Sequence, residues 1–110
     1  MNFNDYQTQA SQTATFDNDD LQYALMYIGL GIGGESGEVL EKIKKYIRNK
    51  DISIEELRSG LKSEIGDVLW YLSQLARMLK IPFDEVAEAS IAKILDRQSR
   101  NVIKSSGDTR

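Results

Sequence analysis

The chain has 110 residues, 41% of them hydrophobic and 28% charged, which is the balance of one globular domain. Its formal net charge of −3 argues against a nucleic acid polymer as partner, because such proteins need a basic surface to replace the counterions of the phosphate backbone. Cysteine and histidine are both absent, which excludes disulfides, zinc sites of the His/Cys kind and Ser-His-Asp catalysis. Any metal must therefore be held mainly by oxygen.

Four helices are predicted, since no alternating run of β-branched residues indicates a strand; they cover residues 3–15, 20–49, 54–80 and 83–99. Short connections, one of them containing Pro82, favour antiparallel neighbours. The expected fold is an all-α, four-helix-bundle-like single domain over residues 1–110, in which residues 101–110 form a loosely ordered tail. The first residues lack the features of a signal peptide and no membrane span is evident, so a cytoplasmic protein without membrane contact is expected.

Glycines cluster in the second predicted helix at Gly31, Gly33 and Gly34. The Lys-Ser/Thr pair that completes a phosphate-binding loop is missing, so these glycines indicate close helix approach or a bend. Two further glycines, Gly37 and Gly66, each precede an acidic residue. They are predicted to leave room for a neighbouring helix or a ligand.

The segment ESGEVL at 35–40 is repeated in outline by EIGDVL at 64–69. Each segment carries two acids three residues apart, so each pair lies on one side of its helix beside an apolar stripe. If the two helices pack antiparallel through these stripes, four carboxylates converge, and their repulsion requires a divalent cation. Acid pairs on helix surfaces are also often merely solvated, so that alternative stays open. The acids are Glu35, Glu38, Glu64 and Asp67.

Residues near the acids are further candidates. Lys42 and Lys45 each follow an acid of the first pair by seven residues, about 10 Å, which is near the reach of a triphosphate; lysines near a helix C-terminus are equally favoured by the helix dipole. Tyr71 follows Asp67 by four residues and is predicted to touch a ligand. Trp70 projects away from the main apolar stripe, which predicts that it is buried between subunits of a homo-oligomer.

In these residues and their spacing, the sequence resembles the MazG-like nucleotide pyrophosphohydrolases of the all-α NTP pyrophosphatase superfamily. The pattern E-x-x-E, a spacer and E-x-x-D matches the four acids, and the likeness extends through DYQTQAS, GLGIGGESGEVLEKIKKYIRNK, LKSEIGDVLWYLSQLA and AKILDRQSR. The resemblance implies hydrolysis of (deoxy)nucleoside triphosphates to the monophosphate and pyrophosphate by a homodimer or homotetramer. It also implies Mg²⁺, with Mn²⁺ as a substitute, bound by Glu35, Glu38, Glu64 and Asp67.

The last helix of this family carries an Asn-x-x-Lys and a following Arg that face the substrate. Lys93 and Arg97 match, whereas Ser90 stands at the Asn position, so this chain departs from the family pattern at one polar contact to the substrate or a bound water. The expected substrate-binding residues are thus Lys45, Tyr71, Lys93 and Arg97. Two alternatives remain open: a sister branch that hydrolyses dUTP or phosphoribosyl-ATP, and a non-catalytic oligomeric helical interaction module.

Overall fold

The computed structural model, which describes residues 1–104 and 106–108, consists of four helices joined by short connections. They are α1 (Phe3–Ser11), α2 (Leu21–Arg48), α3 (Ile54–Met78) and α4 (Phe83–Ser99). No strand occurs in the described part of the chain, so the predicted all-α class is confirmed. None of the helices formed by these residues is long and apolar enough to cross a membrane.

Polar side chains set the starts of the first three helices. The Asn2 carboxamide accepts a hydrogen bond from the Asp5 amide at 2.7 Å, and the Asp5 carboxylate accepts one from the Asn2 amide, which forms a capping box. Asp20 and Ser53 accept in the same way from amides in the first turns of α2 and α3. These caps explain why the predicted and observed helix starts agree within one residue.

The end of α1 departs from the prediction, because the helix stops at Ser11 rather than near residue 15. Beyond it, the Thr13 hydroxyl donates to the Ala10 carbonyl at 2.8 Å and accepts from the Trp70 indole N–H at 2.8 Å. The Trp70 ring also meets Phe16 edge to face, with centroids 6.3 Å apart. The chain's own N-terminal segment therefore partly covers Trp70, so the burial of this side chain does not by itself require a second subunit.

The helices α2 and α3 form an antiparallel hairpin that carries most of the packing. Gly31 of α2 lies against Tyr71 of α3, and Lys42 of α2 lies against Gly60 of α3. Moving eleven residues forward along α2 therefore moves the contact eleven residues back along α3, which is the register of an antiparallel pair. A Cβ on Gly31 would overlap the Tyr71 ring, which makes this glycine a point of close approach. Gly33, Gly34, Gly37 and Gly66 instead face open space, so they leave no room that another helix of this chain uses.

The fourth helix leaves one side of the structure open. It packs on α1 and α3, and no Cα of α4 lies within 8 Å of α2. The Gln7 side chain fixes α1 between these elements, since its amide donates to the carbonyls of Ser73 and Ile81 and its oxygen accepts from the Phe83 amide. The radius of gyration is 16.9 Å, against about 13 Å for a compact domain of this length.

Residues beyond α4 fold back on that helix. The Val102 amide donates to the Arg97 carbonyl at 2.9 Å, and Asp108 is held by side chains of α4. Residues 105, 109 and 110 of the tail expected at 101–110 lie outside the described part of the chain.

Candidate metal and nucleotide site

Three of the four predicted acids converge across the hairpin. Glu35 of α2 and Glu64 and Asp67 of α3 each offer a carboxylate oxygen, and these oxygens lie within 4.8 Å of one another. We call these three residues the acid cluster. Their approach follows from the antiparallel register, which sets position 35 of α2 opposite position 67 of α3, and from the spacing of three that brings Glu64 to the same side of α3.

Like charges shape the electrostatics of the acid cluster. The pKa of Glu35 is raised, first by burial of its carboxyl and then by the charges of Asp67, Glu64 and Glu38. Lys42 opposes this repulsion, because its Nζ lies 3.5 Å from a Glu64 carboxylate oxygen. The Lys42 chain lies against Gly60, where a side chain on α3 would crowd it.

Glu38 stands apart from the acid cluster. Its side chain is exposed, and it is absent from the group of carboxylates whose oxygens lie within 4.8 Å of one another among the described residues. It is nevertheless close enough to raise the pKa of Glu35 and lies one turn further along the same helix.

The acid cluster fits a hard divalent cation. All its donors are carboxylate oxygens, which Mg²⁺ and Mn²⁺ prefer to softer ligands. The spread of 4.8 Å is comparable with the distance of about 4.2 Å between opposite ligands of an octahedral Mg²⁺. A bound cation would also relieve the repulsion that raises the Glu35 pKa.

Tyr71 lies beside the acid cluster, as its position one turn after Asp67 predicts. Burial raises its pKa, and the nearby Tyr27 hydroxyl and the charges of Glu35 and Asp67 raise it further. Tyr6 of α1 is a neighbour that the sequence analysis missed: burial and then the charge of Asp67 raise its pKa. Both phenols therefore stay protonated at neutral pH and keep a hydrogen to donate.

The predicted cationic residues pair with acids outside the acid cluster. Lys45 pairs with Glu41 along the exposed side of α2 at 3.7 Å. On α4, the Arg97 guanidinium donates to an Asp108 carboxylate oxygen at 3.0 Å, and Lys93 approaches the same oxygen at 3.4 Å. None of the three cations forms an ion pair with the acid cluster in residues 1–104 and 106–108. The head group of Arg97 is nearly buried, with 7% of its side chain exposed.

Ser90, at the family's Asn position, lines an apolar groove between α3 and α4 rather than the acid cluster. In that groove the other lining side chains are leucine, isoleucine, alanine, valine and phenylalanine. The structure therefore gives Ser90 no polar role near the carboxylates.

Comparison with known proteins identifies a family and a full-length relative. The family described as the MazG nucleotide pyrophosphohydrolase domain matches residues 27–102, which include all four acids. The Gene 37 protein of Mycobacterium phage L5 is 39% identical over 115 aligned positions that cover the whole of both chains, and its name states no activity. No solved structure matches the chain.

Proposed function

We propose, from the premise that the chain belongs to the MazG nucleotide pyrophosphohydrolase family, that it hydrolyses (deoxy)nucleoside triphosphates to the monophosphate and pyrophosphate with Mg²⁺. The observation that carries this proposal is the convergence of Glu35, Glu64 and Asp67 from two helices. Such crowded carboxylates are unfavourable without a cation, and a cation held by few protein ligands keeps positions for phosphate oxygens.

The metal ligands in this proposal are Glu35, Glu64 and Asp67, completed by Glu38. When bound, Mg²⁺, or Mn²⁺ in its place, supplies positive charge against the phosphate oxygens and lowers the pKa of a coordinated water. The carboxylates would orient the phosphate chain through the bound cation. We assign a hydrogen bond to the substrate to the Tyr71 hydroxyl, since Tyr71 is near enough to Glu35 and Asp67 for their charges to raise its pKa.

Charge on the leaving pyrophosphate needs cationic partners, and we assign this role to Lys45, Lys93 and Arg97. The pair on α4 already holds an anionic oxygen, that of Asp108. Because Arg97 is nearly buried, its guanidinium is positioned without the loss of freedom that an exposed arginine would undergo. Displacement of Asp108 by a more highly charged phosphate would bring both cations into use.

A homodimer or homotetramer is part of the proposal. The chain exposes 7954 Å², about 1,800 Å² more than the roughly 6,100 Å² expected for a compact monomer of its mass. That excess is larger than the roughly 800 Å² that one partner contributes to a standard interface, and it lies within the range of about 1,000–2,500 Å² that one subunit contributes to an obligate homodimer. Two apolar grooves of about 400 Å³ each, one between α3 and α4 and one between α2 and α3, share Leu69 and Leu72. We assign this face to a second copy of the chain.

The assembly is tested by light scattering on the native protein and on Leu72→Gln. The native protein should be an oligomer that the substitution weakens, whereas Met26→Gln, which changes an exposed side chain outside both grooves, should leave the mass unchanged. A native monomer with full activity would refute the assignment. A cytoplasmic location and the absence of a nucleic acid polymer among the partners complete the proposal.

The activity is tested by measuring pyrophosphate release from canonical and modified nucleoside triphosphates, dUTP included, with and without Mg²⁺. Glu64→Gln should abolish turnover while leaving helicity intact, and Glu56→Gln, on the exposed first turn of the same helix, should have no effect. Calorimetry should show Mg²⁺ binding that Glu38→Gln weakens. Near-normal turnover by Glu64→Gln at saturating Mg²⁺ would overturn the metal assignment.

A further inference from the structure

An open pocket of about 470 Å³ lies at the start of α2, on the side of the hairpin that the N-terminal segment covers. It is lined by Thr15, Phe16, Asp17, Asp20, Tyr23 and Tyr27. Its volume lies within the usual range for small-molecule sites, about 300–1,000 Å³. The activity proposed above makes no use of this pocket.

Aromatic rings form one wall of the pocket. The Phe16 and Tyr27 rings stack with centroids 5.2 Å apart, and the Tyr23 ring lies 6.3 Å from that of Tyr27. Tyr23 and Tyr27 nevertheless remain 49% and 40% exposed. Exposed tyrosine rings held in place by their neighbours are the usual platform on which a nucleobase stacks.

The aromatic wall continues to the acid cluster. The Tyr27 ring lies 6.4 Å from that of Tyr71, which stands next to Glu35 and Asp67. Along α2, Tyr23, Tyr27, Gly31 and Glu35 follow at intervals of four residues, so neighbours in this series share a helix face. From Tyr27 to Glu35 the axial rise is about 12 Å, which is the scale of a nucleoside triphosphate.

Two carboxylates form the polar side of the pocket. One oxygen of Asp17 accepts from the Asp19 amide at 2.9 Å, and one oxygen of Asp20 accepts from the Tyr23 amide at 3.1 Å. The second oxygen of each carboxylate receives no hydrogen bond from any described residue. An ionised carboxylate only accepts hydrogen bonds, so these oxygens attract an amino group and repel a carbonyl oxygen.

We propose that this pocket is the nucleobase subsite, that Tyr27 stacks on the base, and that Asp17 and Asp20 favour bases carrying an exocyclic amino group over uracil and thymine. This inference rests on the proposed function for its substrate class, because the triphosphate is taken to lie on the acid cluster. The carboxylates of Asp17 and Asp20 cannot donate a hydrogen bond to the carbonyl that replaces the amino group of cytosine in uracil, so they favour the amino group even beside the Thr15 hydroxyl, which can both donate and accept.

The test compares ligands that differ at this one group. Binding of dCMP and dUMP to the metal-free protein is measured by calorimetry or NMR, and pyrophosphate release is measured from dCTP against dUTP and dATP against dITP. We expect the amino-bearing member of each pair to be favoured by about tenfold. Because the monophosphates are read by binding alone, the subsite is assessed independently of turnover.

Conservative variants show which residues produce the preference for bases with an amino group. Asp17→Asn and Asp20→Asn keep an oxygen for the backbone amide, and asparagine caps a helix as well as aspartate does, but each replaces an acceptor by a donor. Each should reduce the preference for dCMP over dUMP severalfold, whereas Asp19→Asn, whose side chain does not line the pocket, should leave it unchanged. Tyr27→Leu should weaken the binding of nucleotides with any of the four bases by about tenfold, and circular dichroism checks that this variant folds.

Failure of the inference and failure of the proposed function are distinct results. Pyrophosphate release with equal use of dCTP and dUTP, or with a preference that Asp17→Asn and Asp20→Asn do not alter, overturns the subsite and leaves the activity standing. Selective binding of dCMP that both variants reduce, without turnover of any triphosphate, supports the subsite and refutes the activity.

Discussion

The contact between Gly31 and Tyr71 provides the most direct test of how the hairpin is built. We predict that Gly31→Ala destabilises the protein, although alanine is the better helix former in the middle of α2. An added Cβ would overlap three atoms of the Tyr71 ring, and even the farthest of them, Cδ1, would be 2.5 Å away, whereas ordinary contact requires 3.4–4 Å. Either the ring or the helix axis must therefore move by about 1 Å.

The ring has little freedom to move. Trp70 meets it edge to face at 5.0 Å and Tyr27 lies at 6.4 Å, so the overlap should cost the upper part of the usual range for overpacking, about 2–3 kcal/mol. The helix propensity of alanine offsets about 1 kcal/mol of this cost. The net loss of about 1–2 kcal/mol lowers the Tm by roughly 4–8 °C for a chain of this length.

Gly33→Ala is the matched control, because it lies two residues further along the same helix and faces open space. It gains the propensity without the overlap, so its Tm should rise by about 4 °C. Both variants are compared with the native protein by calorimetry at one protein concentration, since an oligomer makes the Tm depend on concentration. If Gly31→Ala raised the Tm as much as Gly33→Ala does, the register that sets Gly31 on Tyr71 would be wrong.

Three further predictions concern the charges around the site. The pKa of Glu35 is raised in the folded protein, so its ionisation opposes folding and the stability of the protein falls as the pH rises through that pKa. Glu35→Gln should therefore raise the Tm of the metal-free protein by roughly 2–4 °C at pH 7. This gain should disappear at about pH 3, where Glu35 is protonated. Lys42→Met removes the cation that competes for Glu64, so calorimetry should show Mg²⁺ binding tightened about two- to fivefold. The hydrogen bond from Arg97 lowers the pKa of Asp108, so the contact between them is complete above the usual aspartate pKa and is lost as the pH falls through the lowered pKa. Asp108→Asn removes the carboxylate that competes for Arg97, so pyrophosphate should bind about two- to fivefold more tightly at pH 7 and equally well in acid.

Each charge variant has a control elsewhere on the surface. Glu56→Gln removes an exposed carboxylate that caps nothing with its side chain, and Lys44→Met removes an amine that pairs with Glu41 instead of the acid cluster. Asp51→Asn removes an exposed carboxylate outside the described ion pairs. A lower Tm for Glu35→Gln in metal-free buffer would contradict the convergence of the carboxylates. Unchanged Mg²⁺ affinity in Lys42→Met would show that Lys42 does not compete with the cation. Unchanged pyrophosphate affinity in Asp108→Asn would show that Asp108 does not occupy the anion site.

Much of the hairpin could be predicted from the sequence because its signals are local. Spacings of three residues put each acid pair on one side of a helix, and the short connection between α2 and α3 requires antiparallel packing. Caps such as Asp20 and Ser53 mark helix starts within the first turn. Convergence of Glu35, Glu64 and Asp67 follows once the apolar stripes set the register of the two helices, whereas the exposed Glu38 does not join them.

Features that depend on distant segments could not be predicted in this way. The cover of Trp70 comes from Thr13 and Phe16, more than fifty positions earlier, and no pattern within α3 reveals it. Similarly, Lys42 and Lys45 have the same spacing from the acids, and only the rotation of α2 against Gly60 decides that Lys42 reaches Glu64. The spacing of four that joins Tyr27 to Glu35 through Gly31 was a signal that the sequence analysis did not use.

The acid cluster lies on the helical hairpin, whereas part of the proposed base pocket lies on the segment between α1 and α2, and this separation bears on how such a protein can evolve. The carboxylates sit on long helices whose spacing is constrained by packing, whereas Thr15, Phe16 and Asp17 belong to a connection whose side chains can change without altering that spacing. The family match also begins at residue 27, beyond this connection. Under the proposed roles, relatives can diverge in base selectivity through a few substitutions in this connection without any change to the acid cluster.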